Sequence, residues 1–122
     1  MPFLEVFDFG GTPQNRGAAT ELMTDALCRA YEIDPTIVSA YFIDVSGGNY
    51  GHAGKFGDNT TDKRIFIKVH AFRRSDRMRR VAARNLTDAL AQAYQAKPKD
   101  IAVYFFDRDE DQVSHGGVLA SD

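Results

Sequence analysis

The residue best suited to unusual chemistry is Pro2, near the start of the stretch Met1-Pro2-Phe3-Leu4-Glu5-Val6-Phe7-Asp8-Phe9. Proline begins a strand well only where its missing N–H faces away from the ladder. Removal of the initiator methionine would leave Pro2 with a free secondary amine at the strand's end. Such an amine is a base and a nucleophile, and partial burial or nearby cations lower its pKa. The second concentration of chemistry is cationic: Arg73, Arg74, Arg77, Arg79, Arg80 and Arg84 crowd one helix start. Cations are unfavourable there, and like charges three or four residues apart repel. Arg79 and Arg84 read as a solvated basic face offset by Asp76 and other acids. Arg73 and Arg74 lie between strand and helix, where backbone N–H groups already attract anions. Their guanidinium forks suit two-point binding of a carboxylate. His52, His70 and His115 show no metal-ligand spacing and read as surface or interface side chains. The single Cys28 falls at the edge of a helix's apolar stripe and reads as a small core-lining residue.

The elements that position these residues come as two copies of one unit. At a shift of 63 residues, Phe3, Val6 and Phe9 fall on Phe66, Val69 and Phe72, and Thr24-Asp25-Ala26-Leu27 falls on Thr87-Asp88-Ala89-Leu90. Ala30-Tyr31 falls on Ala93-Tyr94, Tyr41-Phe42 on Tyr104-Phe105, Asp44 on Asp107, and His52 on His115. The register holds without a gap, so residues 2–57 and 64–122 are repeats joined by the polar stretch 58–63, in a single domain spanning 1–122. Pro2 falls on Ile65, which is internal and has no amine. Gly10-Gly11 stands where the second unit has Arg73-Arg74. One unit holds the proline and the other the arginines.

Each unit reads strand, helix, strand. Leu4 and Val6 alternate with Phe3, Glu5 and Phe7. Thr12 caps a helix that begins at Pro13. Ala19, Leu22, Met23, Ala26, Leu27, Ala30 and Tyr31 repeat at helical spacing, Asp34-Pro35 ends the helix, and Val38 to Val45 is the second strand. In the other unit Ile65 to Phe72 is a strand, and Ser75 caps a helix with its stripe on Val81, Ala82, Leu86, Ala89, Leu90, Ala93 and Tyr94. Ile101 to Phe106 closes the unit. Both units end in glycine-rich tails. Two β-α-β units with right-handed parallel crossovers predict an α/β fold: a four-stranded sheet with two helices on one face. Leu4, Val6, Ile67, Val69 and Ala71 face the helices. The other face carries Phe3, Phe7, Phe66 and Phe72 with Glu5, Lys68 and His70, too aromatic to sit in water, and it implies further copies of the same chain.

With 122 residues, 43% apolar and 26% charged, the composition is that of one globular domain. No apolar run approaches membrane-spanning length, and charges begin at Glu5, which argues against a signal peptide and a membrane partner. A net charge of −2 argues against a nucleic-acid partner. One cysteine fits a reducing, cytoplasmic setting.

At full length the chain resembles the tautomerase superfamily, whose members include 4-oxalocrotonate tautomerase, macrophage migration inhibitory factor, malonate semialdehyde decarboxylase and cis-3-chloroacrylic acid dehalogenase. The resemblance rests on Pro2, the fused repeat, Arg73-Arg74-Ser75-Asp76, Val103-Tyr104-Phe105 and the tail His115-Gly116-Gly117-Val118-Leu119-Ala120-Ser121. It implies a homotrimer whose sheets line a central barrel, and catalysis by the N-terminal proline. It also implies that Arg73 and Arg74 bind a substrate carboxylate, that Tyr104 polarises substrate, and that Tyr50 lines the pocket. Three positions depart from the dehalogenase and decarboxylase patterns: Ser114 replaces a tail carboxylate, Leu27 a helix histidine, and Ile37 an aspartate. Tautomerisation asks for less: a base near neutrality, and cations or donors to hold an enolate. The expected activity is thus a cofactor-independent and metal-independent tautomerase acting on a small 2-oxo or 2-hydroxyalkenoic acid. The alternatives are a hydratase or dehalogenase, and a non-catalytic interaction module.

Overall fold

Alternating burial sets the frame of the computed structural model, which describes residues 1–122. Strand β1 (Phe3–Asp8) buries every second side chain, as does β5 (Ile65–Phe72). Helices α1 (Pro13–Tyr31) and α2 (Asp76–Tyr94) cover the buried face. β2 (Ser39–Asp44) and β6 (Ile101–Arg108) complete a sheet of order β2-β1-β5-β6. Within each repeat the strands are parallel, as the long crossovers require. Between repeats β1 and β5 run antiparallel, with Phe3 opposite His70, Glu5 opposite Lys68 and Phe7 opposite Phe66.

Local signals start the helices where the sequence places them. The Thr12 side chain accepts from the Asn15 N–H (3.1 Å) and the Asn15 side chain accepts from the Thr12 N–H (3.2 Å), a reciprocal cap before Pro13. Ser75 caps α2 by accepting from the Met78 N–H at 3.2 Å. One continuous core lies between helices and sheet, with Leu4, Met23, Leu27, Ile67, Leu86 and Leu90 among its largest fully buried side chains. Truncating one of these to alanine costs roughly 2–5 kcal/mol.

The strands differ a little from expectation. β2 begins at Ser39, after a 3-10 turn at Pro35–Ile37. β6 runs to Arg108, two residues past Phe106. The glycine-rich tails are small hairpins, β3 (Gly51–His52) with β4 (Lys55–Phe56) and β7 (Ser114–His115) with β8 (Val118–Leu119). No helix is long and apolar enough to cross a membrane.

The sheet face away from the helices is aromatic and uncovered, with Tyr41 and its repeat mate Tyr104 each 58% exposed. Both outer strands, β2 and β6, also present an open edge. An uncovered aromatic face beside open edges suits association with further chains.

Candidate functional site

The antiparallel seam decides which residues meet. Because Phe3 lies opposite His70, the start of β1 stands against the end of β5, just before Arg73 and Arg74. β6 ends at the same place, with Arg108 opposite Phe72. The tail that follows β6 folds over this end. Together they form a groove of about 1030 Å³ whose walls include Pro2, Glu5, Ser39, His70, Arg108 and Ser114. Pro2 itself is buried, and its carbonyl accepts from the Ser39 N–H at 3.4 Å. Met1, half exposed, holds the Pro2 nitrogen as an amide and lines the same groove.

Arg73 and Arg74 follow β5 at this end but do not line the groove, whose arginine is Arg108, and the two are held differently. Arg73 Nε donates to Asp109 Oδ1 at 2.7 Å, and that carboxylate raises the guanidinium's pKa. Arg74 lies over the Tyr31 ring, 4.7 Å from its centroid, an attractive cation–π placement. Its bonds to the Phe72 and Arg73 carbonyls both use Nη1 (2.9 and 3.3 Å). Nε and Nη2, the side-on fork that grips a carboxylate, have no partner within the chain.

Tyr104 and Tyr50 lie elsewhere in the same chain. Tyr104 sits mid-strand on the exposed face, opposite Lys68, with its ring edge-on to Phe66 at 4.7 Å. Tyr50 packs edge-on to Phe9 (4.7 Å) beyond the far end of β1, and its hydroxyl accepts from the Arg64 N–H at 3.2 Å. Six strand steps separate Phe9 from Phe3, about 20 Å. Neither tyrosine shares the groove with the Pro2 of its own chain.

At opposite ends of the sheet, the two repeats solve the same problem differently. Asp8, fully buried, accepts from Arg16 Nε and Nη2 (2.9 and 2.8 Å) and from the Tyr94 hydroxyl (2.7 Å). Burial and the Asp8 charge push the Tyr94 phenol upward. At the matching place in the second repeat Arg79 and Tyr31 remain, but Ala71 replaces the carboxylate. Asp107 therefore takes Arg79, with Nη1 to Oδ2 at 2.9 Å, and Arg79 also reaches Asp76 and the Arg74 carbonyl. Arg79 is thus a tied, half-buried residue and not the solvated one its charge run suggests. The Tyr31 hydroxyl and Asp107 Oδ1 are buried without a hydrogen-bond partner. Burial, then the Asp107 charge, pushes the Tyr31 phenol to about 12.

Three groove residues carry no signal of a shared site in the sequence. Arg108 stands in the charged run Asp107-Arg108-Asp109-Glu110-Asp111, which reads as a solvated loop, and its repeat mate is Val45. Glu5 and His70 are far apart in sequence and meet through the seam, Nε2 to Oε1 at 2.5 Å. No group of three or more His, Cys, Asp or Glu side chains is arranged to hold a metal ion.

No family model matches the sequence, and no curated protein matches it. Solved structures do match. Fused 4-OT, solved as an asymmetric trimer, superposes with a TM-score of 0.90 at 19% identity, over 98% of this chain and 96% of that one. The fold is that of fused 4-OT. The protein Pt0534, inactivated by 2-oxo-3-pentynoate, shares this fold with a TM-score of 0.86 at 17% identity, over 98% of this chain and 96% of that one. Malonate semialdehyde decarboxylase shares it with a TM-score of 0.79 at 17% identity, over 98% and 94% of the two chains.

Proposed function

We propose that this protein is a tautomerase in which Pro2, freed of Met1, moves a proton on a small 2-oxo or 2-hydroxyalkenoic acid. The observation that carries the reading is the burial of Pro2 in a large groove at the sheet end that also holds Arg108, with Arg73 and Arg74 following the strand, β5, that ends there. A secondary amine in that setting is partly desolvated and shares its groove with the Arg108 cation, and both lower its pKa toward neutrality. Its lone pair takes the proton of the 2-hydroxyl and returns one to carbon as the enol collapses to the ketone. In this reading Arg74 turns toward the groove from its place over Tyr31 and binds the carboxylate through Nε and Nη2, and Arg73 joins it by exchanging Asp109 for the substrate. Their charge holds the enolate that forms between the two proton transfers. No cofactor takes part.

The active unit in this reading is a homotrimer. The exposed aromatic face and open sheet edges support it, as do the trimers formed by fused 4-OT. In the trimer Tyr104, and with it Tyr50, reaches a Pro2 groove of a neighbouring copy, where Tyr104 donates a hydrogen bond to the substrate.

The test begins with an intact mass showing loss of methionine, followed by loss of enol absorbance from a 2-hydroxyalkadienoate. Pro2→Ala lowers kcat by at least 10²-fold while the trimer remains. Incubation with 2-oxo-3-pentynoate, which inactivates Pt0534, adds a covalent mass to the N-terminal peptide. Unchanged turnover in Pro2→Ala overturns the reading.

A further inference from the structure

The Glu5–His70 pair is an anomaly on its face of the sheet. Both side chains are mostly withdrawn from water, 25% and 16% exposed, among aromatic rings. Phe3 stacks on the imidazole at 4.2 Å and 8°, and Phe106 lies on it at 5.1 Å and 24°. Placing an acid and an imidazole in such a setting is unfavourable relative to two apolar side chains of similar size. The repeat sharpens the point. Glu5 falls on Lys68 and His70 falls on Phe7, so the pseudo-equivalent end of the sheet has no such pair. The pair stands only at the end that holds Pro2, and both of its members line the Pro2 groove.

We propose that His70, oriented by Glu5, is a second proton-transfer group in the groove. This rests on the tautomerase reading given above. A carboxylate only accepts, so the contact to Glu5 Oε1 selects the tautomer with hydrogen on Nε2; in the neutral ring Nδ1 is then the acceptor, and it has no hydrogen-bond partner within the chain. The flanking rings of Phe3 and Phe106 fix the imidazole plane. His70 lies directly opposite Phe3, the neighbour of Pro2, one inter-strand spacing away.

The two groups divide the two proton transfers that the simpler reading above gives to Pro2 alone, and the amine enters this version as its ammonium. His70 Nδ1 takes the proton from the 2-hydroxyl as the O–H bond breaks and the C–O bond gains double-bond character. The displaced π electrons form a C–H bond with a proton given by the Pro2 ammonium, leaving Pro2 neutral. Water then returns the proton from the imidazolium to the amine. Several other titratable groups face the pair. Lys68 stands across the seam from Glu5, Tyr41 lies beside Phe3 on β2, Tyr104 is on β6, and Arg108 and His115 share the groove.

The test compares His70→Gln, His70→Phe and Glu5→Gln with the parent trimer, using turnover of a 2-hydroxyalkadienoate against pH. His70→Gln lowers kcat about 10²-fold with KM within threefold, removes one limb of the pH profile, and leaves Pro2 reactive toward 2-oxo-3-pentynoate. Glu5→Gln lowers kcat about tenfold and moves that limb. His70→Phe preserves the stack and serves if the glutamine variant fails to assemble. A kcat within twofold of the parent in the variant that assembles overturns the inference while the Pro2 reading stands. Loss of Pro2 labelling in every His70 variant also overturns it, because the pair is then only a scaffold. Activity unchanged by Pro2→Ala overturns both.

Discussion

Two tyrosines at matching places in the repeats should respond oppositely to loss of their hydroxyls. Tyr94 donates to a buried carboxylate at 2.7 Å, whereas the Tyr31 hydroxyl is buried with no partner. A hydrogen bond to a charged group contributes about 1.5–3 kcal/mol, and an unsatisfied buried polar group costs about 1–3 kcal/mol. Tyr94→Phe should therefore destabilise by about 2 kcal/mol at neutral pH. Tyr31→Phe, which keeps the ring beneath Arg74, should stabilise by about 1 kcal/mol. The gap of roughly 3 kcal/mol traces to one difference, Asp8 against Ala71. Alkaline pH widens the contrast for Tyr31. Its phenol titrates near 12 in the fold against a reference value of 10.0. Between those values the unfolded chain loses its proton first, so native stability falls as pH rises through the window, by on the order of 2 kcal/mol. Tyr31→Phe removes that part of the loss. Urea unfolding at pH 7 and pH 11, at one fixed protomer concentration, measures both effects. A Tyr31→Phe variant less stable than the parent at pH 7, or equally sensitive to alkali, refutes the reasoning.

Replacing Asp8 with Asn breaks a fork to Arg16 that is buried on the carboxylate side, and should lower stability by about 3–5 kcal/mol in the same assay. Gly11→Ala places a methyl 2.2 Å from Asp8 Oδ2. That oxygen is held by two donors and cannot swing aside, so a loss of about 1–3 kcal/mol is expected in thermal unfolding. Tyr31→Leu removes the platform under Arg74 and should raise KM for a small carboxylate severalfold, whereas Tyr31→Phe should not. Burial raises the Cys28 pKa, so its reaction with a thiol reagent at pH 7 should be much slower than that of a small free thiol.

The caps at Thr12 and Ser75, the helix stripes and the alternation of Leu4 and Val6 were legible because each is a pattern within a few residues. The repeat extended that legibility to the whole sheet, since a shift of 63 residues leaves little freedom in where elements begin. The β1–β5 seam was not legible in this way. Its direction depends on how two units pack, and with it go the Glu5–His70 pair and the meeting of the end of β5 with the start of β1. Arg108 was hidden by the acids around it, and Arg79 by the arginines around it. Arg79 finds its partner Asp107 on β6, and Arg108 reaches the Pro2 groove only through the register of β5 and β6. Tyr104 and Tyr50 were read through resemblance, and their distance from Pro2 within one chain moves any role they have to contacts between chains.

The seam also has a consequence for how the halves stay together. Five residue pairs of β1 and β5, with the two helices behind them, are the contacts that any two separate half-chains would have to make. Here the stretch 58–63 links them, so the second half meets the first at an effective concentration in the millimolar range. A seam too weak to hold two free halves at micromolar dilution still closes fully when tethered. Side chains along it are released from the need to be self-complementary. An acid can then face an imidazole at one end while phenylalanines face each other at the other, and a molecule built from two similar halves can keep a single working end.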